Sequence, residues 1–150
     1  MLPATGARVN LTGLTPADPA WSDFLSALTD AGLPIDDLAD EGQFFFVSET
    51  GVFGGLTQLG SHALLRSIVV PPSLRGTGEG RRVVEALCQE AVERGASTAW
   101  LLTMGAADFF SSCGFEQASR DMAPLAIRTT KQFSGICPGS ASLMHRGLVA

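Results

Sequence analysis

Arg75-Gly76-Thr77-Gly78-Glu79-Gly80-Arg81 is the stretch whose residue types and spacing speak most directly of chemistry. Three glycines alternate with single residues, and an arginine stands at each end. Glycine lets the backbone come close to a ligand. Successive N–H groups then face one concavity, and two guanidiniums can pair with phosphate oxygens. The preceding run, Leu64 to Val70, is apolar and rich in β-branched residues, and Pro71 and Pro72 end it, so it reads as a buried strand. The stretch that follows, Gly80 to Gly95, is amphipathic. Val84, Leu87 and Ala91 form one side with Val83 beside them, and Arg82, Glu85, Gln89, Glu90 and Glu93 form the other. Strand, glycine-rich turn and helix is a layout that binds phosphate, because the helix start adds unpaired N–H groups and the positive end of its dipole.

Two common phosphate loops do not fit. A P-loop needs Lys-Ser or Lys-Thr after its glycines, and none follows here. The dinucleotide fingerprint needs glycine where this chain has Arg81. An ordinary turn capping a helix is the plainer alternative, and the alternating glycines between arginines weigh against it. The spacing resembles the acetyl-CoA pyrophosphate loop of the GNAT N-acetyltransferases. That loop has the form [QR]-x-x-G-x-[GA] after a strand ending in V-x-P. Arg75, Gly78 and Gly80 stand at those positions, and Val70 with Pro72 approximates the strand end. The resemblance implies an acetyl-CoA site formed by Ile68, Val69, Val70, Arg75, Gly76, Thr77, Gly78, Glu79, Gly80 and Arg81.

The elements that must hold this loop read as a single α/β domain over residues 1–150, with a mixed central sheet flanked by helices. Ala7 to Leu11 reads as a first strand. Thr15 then caps a helix with Pro16 at its first position, and Gly32 closes it. Pro34 to Leu38 is a short helix or turn. Gln43 to Ser48 and Val52 to Leu59 form a hairpin turning at Glu49-Thr50-Gly51. After the Leu64–Val70 strand and the Gly80–Gly95 helix come a strand at Ala99–Thr103, a short helix at Ala106–Ser112 ended by Gly114, and a strand opening at Phe115. Ala126 to Phe133 reads as helix after Pro124, and Ala141 to His145 as a last strand. This order matches the GNAT order along almost the whole chain.

A second resemblance lies in Leu101-Leu102-Thr103, then Ala106-Ala107-Asp108-Phe109-Phe110, then Cys113-Gly114-Phe115, which is similar to the family's A-x-x-F-[YF]-x-x-x-G-F element. Many members carry tyrosine where Phe110 stands, and it protonates the departing CoA thiolate. This chain has no tyrosine, so a tyrosine acid is excluded. The resemblance places Phe110 beside the cofactor. Leu64-Leu65-Arg66-Ser67, Ala123-Pro124-Leu125-Ala126-Ile127-Arg128 and Cys137-Pro138-x-Ser140-Ala141-x-x-Met144 together resemble the arsenic-resistance N-acetyltransferases, which are related to amino-acid (glutamate) N-acetyltransferases. Members of that subgroup often read Gly-Leu-Glu before the LLRS strand. This chain has Gly55-Leu56-Thr57, a difference that bears on substrate or activity.

The implied reaction is attack of a neutral amine on the acetyl-CoA thioester, with no metal. A backbone N–H of Val69 or Val70 would polarise the thioester oxygen where charge develops. No residue presents itself as a base; Asp108 reads as helix surface. Arg66 interrupts an apolar strand, where a buried charge is costly unless paired. Its guanidinium either binds a substrate carboxylate or faces a protein partner or solvent. Arg128, Lys131 and Ser140 are further candidates for anion contacts. Cys113 and Cys137 raise the idea of trivalent arsenic, a soft metalloid that thiolates bind, although turn and packing roles account for both. A cysteine acyl-enzyme runs against the direct transfer of this family. A GNAT-fold module that binds acetyl-CoA without turnover is the rival reading.

Composition bounds the partners. Hydrophobic residues make up 45% of the 150-residue chain and charged residues 17%, enough apolar material for one core. With a net charge of −5 and a pI of about 4.8, neither nucleic acid nor an anionic membrane surface is expected as a partner. No apolar run approaches the roughly 18 residues of a membrane helix. The N-terminus lacks the apolar stretch of a signal peptide, so a cytoplasmic protein is expected. Cys88, Cys113 and Cys137 fit no CxxC spacing, and His62 and His145 are too few and scattered for a metal site. The expected partner is a small-molecule amine, and the apolar last strand allows a homodimer.

Overall fold

In the computed structural model, residues 10–33, 35, 38, 42–130, 133 and 141–148 are described. The elements are β1 (Leu11–Leu14), α1 (Trp21–Asp30), β2 (Gln43–Ser48), β3 (Phe53–Leu59), β4 (His62–Val69), α2 (Glu79–Glu93), β5 (Thr98–Thr103), α3 (Ala107–Ser112), β6 (Glu116–Ala118), α4 (Leu125–Arg128) and β7 (Ser142–Gly147). The seven strands form one sheet in the order β1-β2-β3-β4-β5-β7-β6. Only β4 and β5 run parallel, joined by the α2 crossover; the other neighbours are antiparallel.

Alternation along the strands sorts the core onto two faces. On one face α2 lays Val83, Val84, Leu87 and Ala91 against Leu56, Leu65, Ala99 and Leu101, with Phe110 and Phe115 alongside. On the other, α1 buries Phe24 and Leu28 against Leu14 and Phe45. On that side Ile127 of α4 covers Leu64, Trp100 and Leu143. Gly54 and Gly55 sit back to back in β3 and permit close approach on both faces. A Cβ on Gly54 would lie 2.8 Å from Leu87 Cδ1, and one on Gly55 would lie 2.5 Å from Phe45 Cδ1.

Several boundaries differ from the sequence expectation for local reasons. The first strand lies at Leu11–Leu14, beyond the expected Ala7–Leu11, of which residues 7–9 fall outside the described set. Thr15 does not cap a helix. Asp18 Oδ2 accepts from the Thr15 N–H at 2.7 Å and from its hydroxyl, making a separate turn, and α1 begins at Trp21. Most of the Pro34–Leu38 segment lies outside the described residues. Of the expected Ala126–Phe133 helix, the described residues show an α-helical turn at Leu125–Arg128, and residues 131–132 lie outside the described set. Just past it, the Thr129 and Thr130 hydroxyls donate to the carbonyls of Leu125, Ala126 and Ile127, competing with continuation of the ladder.

Candidate active site

β4 and β5 pair only over His62–Leu64 and Thr98–Trp100, so beyond Leu64 the two parallel strands part. A bulge in β4 accompanies the parting. Phe53 faces Val69 and Gly55 faces Arg66, so Ser67 and Ile68 share the single residue Gly54. Ser67 adopts φ 58, the one left-handed non-glycine among the described residues. Between the parted strands lies a cleft of about 760 Å³. Leu65 to Val70 form one wall, Leu101 to Met104 the other, and the glycine loop closes one end.

That loop is shaped to receive an anion. A short 3₁₀ turn, Pro72–Leu74, leads into Gly76 and Gly78, both left-handed at φ 79 and 88. A Cβ on either would meet nothing within 4 Å, so their backbones are open to a ligand. Gly78 is the N-cap of α2 and brings no side-chain bond, while the Thr77 hydroxyl accepts from the Glu79 N–H at 3.4 Å. The first turn of α2 therefore offers N–H groups that lack intrahelical acceptors. Gly80 is needed for packing: a Cβ there would lie 2.9 Å from Val70 Cγ2 and 3.2 Å from Phe109 Cζ. Arg75 and Arg81 line the cleft, and Arg75 Nε donates to the Val70 carbonyl at 3.2 Å, tying loop to strand. Phosphate fits this donor set.

Arg66 lies deeper, only 4% exposed. Its Nε donates to Ser67 Oγ at 3.2 Å and its Nη1 to Gln43 Oε1 at 3.2 Å, and its guanidinium sits 5.6 Å from the Phe45 ring centroid. Among the described residues lining the cleft there is no Asp, Glu or His, whereas Arg66, Arg75 and Arg81 all line it.

The candidates drawn from sequence separate accordingly. Arg66, Ile68, Val69, Val70, Arg75, Gly76, Gly78, Gly80, Arg81 and Phe110 line one cleft. Thr77 and Glu79 belong to the loop but not to the lining. Thr77 Oγ1 donates to the Leu74 carbonyl, and Glu79 holds the Thr50 hydroxyl at 2.8 Å and Arg82 at 3.2 Å. Arg128 is exposed and donates to the Ala123 carbonyl, away from the lining. Lys131, Ser140 and Cys137 lie outside the described residues. Asp108 is exposed and Cys113 is buried; neither lines the cleft.

Burial pushes the Cys88 thiol up to about 12, against a smaller opposing pull from Arg146. Cys113 is raised for the same first reason. Both thiols are thereby kept protonated and poorly nucleophilic. Arg146 is held in its charged form chiefly by Glu85, which it meets at 2.6 and 3.2 Å.

Sequence reasoning passed over Ser67 as a bulge residue, and Phe109, Thr103 and Met104 as lining. It also passed over the Gly32-Leu33 turn after α1. The signal for α3 was legible. Phe110, Gly114 and Phe115 build a Schellman end: Gly114 is left-handed at φ 90, the Phe115 N–H meets the Phe110 carbonyl at 3.1 Å, and the two rings contact edge-on at 6.1 Å.

Comparison with known proteins agrees with this geometry. The model of the acetyltransferase (GNAT) domain matches residues 40–117, just over half of the chain. No curated protein matches the sequence. Among solved structures, N-acetylglutamate synthase from Neisseria gonorrhoeae, complexed with coenzyme A and N-acetyl-glutamate, superposes with a TM-score of 0.74 at 18% identity. That match covers 98% of this chain but 37% of the synthase, so this chain spans little more than a third of that protein. A GNAT-family acetyltransferase from Staphylococcus aureus Mu50 gives 0.69 at 16% identity, covering 94% of this chain and 99% of its own. A Bacillus subtilis acetyltransferase in complex with CoA gives 0.66 at 15%, covering 95% and 100%. The chain belongs to the GNAT family, the acetyl-CoA-dependent N-acetyltransferases.

Proposed function

We propose that this domain acetylates the amine of a small amino-acid-like acceptor bearing a carboxylate or similar oxyanion. The observation that carries the reading is Arg66: a guanidinium 4% exposed, on the wall of the same cleft that the glycine loop closes. A planar fork of donors at such a point suits a carboxylate in bidentate fashion.

Acetyl-CoA supplies the activated acyl carbon. The loop from Arg75 to Arg81 and the α2 start hold its phosphates, with Phe110 packed beside the cleft. The amine lone pair attacks the acyl carbon, the N–C bond forms and the carbonyl electrons move to oxygen. The Val69 or Val70 backbone N–H donates to that oxygen. Collapse breaks the C–S bond, and the nitrogen proton leaves to solvent. The chain has no phenol to protonate the thiolate. Arg66 holds the acceptor's carboxylate, and Lys131 and Ser140 are further candidates to contact it. The Cys137-Pro138-x-Ser140-Ala141-x-x-Met144 element supports arsenic resistance as the setting, with arsenical amino-acid analogues as acceptors.

The test is CoA-thiol release across glutamate, aspartate, glutamate-like phosphinates and arsenicals, beside acetyl-CoA calorimetry with Arg75→Ala. Amine-dependent release that weakens in Arg75→Ala is expected. Tight acetyl-CoA binding without turnover on any amine would overturn the enzyme reading in favour of a binding module.

A further inference from the structure

Ser67 keeps a side chain where the backbone favours glycine. Leu65 and Ile68 both pack in the α2-side core, three residues apart where strand alternation gives two. Ser67 is therefore the residue that the β4 bulge inserts, and it lines the cleft. It is left-handed at φ 58, and every other left-handed residue among those described is a glycine. Glycine takes such a backbone freely, whereas serine takes it at a cost in stability. The cost is borne on the wall that faces the reacting groups, which points to a use for the hydroxyl.

That hydroxyl is arranged to donate. Ser67 is 8% exposed, and its Oγ accepts from Arg66 Nε at 3.2 Å. The bond occupies a lone pair, makes the oxygen less basic and makes its own proton a stronger donor. It uses Nε alone, so it holds whatever the rest of the guanidinium meets. No described residue accepts the Ser67 proton in turn. Val69 and Val70, whose N–H groups are the candidates to polarise the thioester, stand two and three residues along the same wall.

We infer that Ser67 is a catalytic residue: its hydroxyl donates a hydrogen bond to the acyl oxygen as negative charge develops there, beside the Val69 or Val70 backbone N–H. The carbonyl electron pair moves to that oxygen as the N–C bond forms and returns as the C–S bond breaks. The Ser67 proton stays on Oγ throughout, so the residue stabilises charge and transfers nothing. The inference rests on the transfer reaction proposed above, and not on how Arg66 is paired.

Ser67→Gly and Ser67→Ala test it together, since both remove the hydroxyl and only glycine relieves the left-handed backbone. The measurements are the single-turnover rate of acetyl transfer, the acceptor KM, acetyl-CoA affinity by calorimetry and the urea midpoint. The substrates are acetyl-CoA and the amine of the panel that wild type uses best. Both variants are expected to slow transfer by equal factors, about tenfold to a hundredfold, while acetyl-CoA affinity and the acceptor KM hold. Ser67→Gly is expected to be the more stable of the two in urea, and it carries the test alone if Ser67→Ala does not fold. A rate lost in Ser67→Ala but kept in Ser67→Gly would assign the effect to the backbone and overturn the inference. A raised acceptor KM at an unchanged rate would reduce the hydroxyl to a support for Arg66 and overturn it as well. Wild-type rates in both variants would overturn it and leave the proposed function in place. A wild type inert on every amine would overturn the proposed function and this inference with it.

Discussion

Gly78→Ala isolates what the glycine loop contributes. Gly78 caps α2 at φ 88, and a Cβ there meets nothing within 4 Å. The substitution therefore adds no clash, and its whole cost is conformational. Left-handed backbone costs an L-residue about 1–2 kcal/mol. The stiffer unfolded chain returns about 0.4–1 kcal/mol. If the loop keeps its shape, the apo protein loses about 1 kcal/mol and acetyl-CoA affinity is unchanged. If the loop relaxes, apo stability is kept, but the N–H groups at the α2 start turn from the phosphates and affinity falls about fivefold to tenfold. Either way the complex is destabilised, because strain avoided in one state is met in the other. Urea denaturation with and without saturating acetyl-CoA, beside calorimetry, separates the two cases. Wild-type apo stability together with wild-type affinity would refute the claim that a left-handed Gly78 shapes the site.

Three further outcomes follow from the same structure. Arg75→Ala removes a cleft guanidinium and its 3.2 Å bond to the Val70 carbonyl; acetyl-CoA affinity is expected to fall about tenfold and to lose part of its salt dependence, and an unchanged Kd in calorimetry counts against the loop assignment. Gly55→Ala forces a Cβ to 2.5 Å from Phe45 Cδ1 and 3.0 Å from the Phe44 carbonyl; a loss of about 1–3 kcal/mol in urea is expected, and a neutral result would refute the close packing on β3. Cys88 is raised from 9.0 to about 12 in the folded protein, so above pH 9.0 the unfolded chain releases its proton first and stability falls through that window. Cys88→Ala should flatten urea stability between pH 9 and 11 relative to wild type, and parallel profiles would show that the thiol is not buried as described.

What could be read from the sequence was what local chemistry settles. The loop, its strand and its helix declared themselves because proline, glycine and apolar periodicity all pointed one way between Leu64 and Gly95. The α3 end was legible for the same reason, since Phe110, Gly114 and Phe115 encode a helix stop in their spacing. The cleft itself was not legible. It exists because β4 and β5 stop pairing after Leu64, and pairing between strands more than thirty residues apart leaves no local mark. The bulge at Ser67 was equally silent, because serine carries no glycine-like signal for φ 58. Arg66 was visible as a charge in an apolar run, but its contacts with Gln43 and Phe45, remote in sequence, were not. At Thr15 the local rule misled: the capping residue was present, yet Asp18 captured it first.

The charge of the site runs against the charge of the chain. The protein carries −5 overall, yet the described lining of the cleft holds three arginines and no carboxylate. Long-range attraction therefore does not select the ligands; the local field does, and it acts over less than about 10 Å at ordinary salt. The arginines are also divided, with Arg75 and Arg81 at the loop and Arg66 on the strand wall. In the proposed reaction one anionic group is anchored at each end, the cofactor's phosphates and the acceptor's carboxylate. The stretch between them, Ile68 to Val70 facing Leu101 and Leu102, is apolar. Excluding water there strengthens a single backbone N–H acting on the developing oxyanion, which is the help that a chain with no tyrosine most needs.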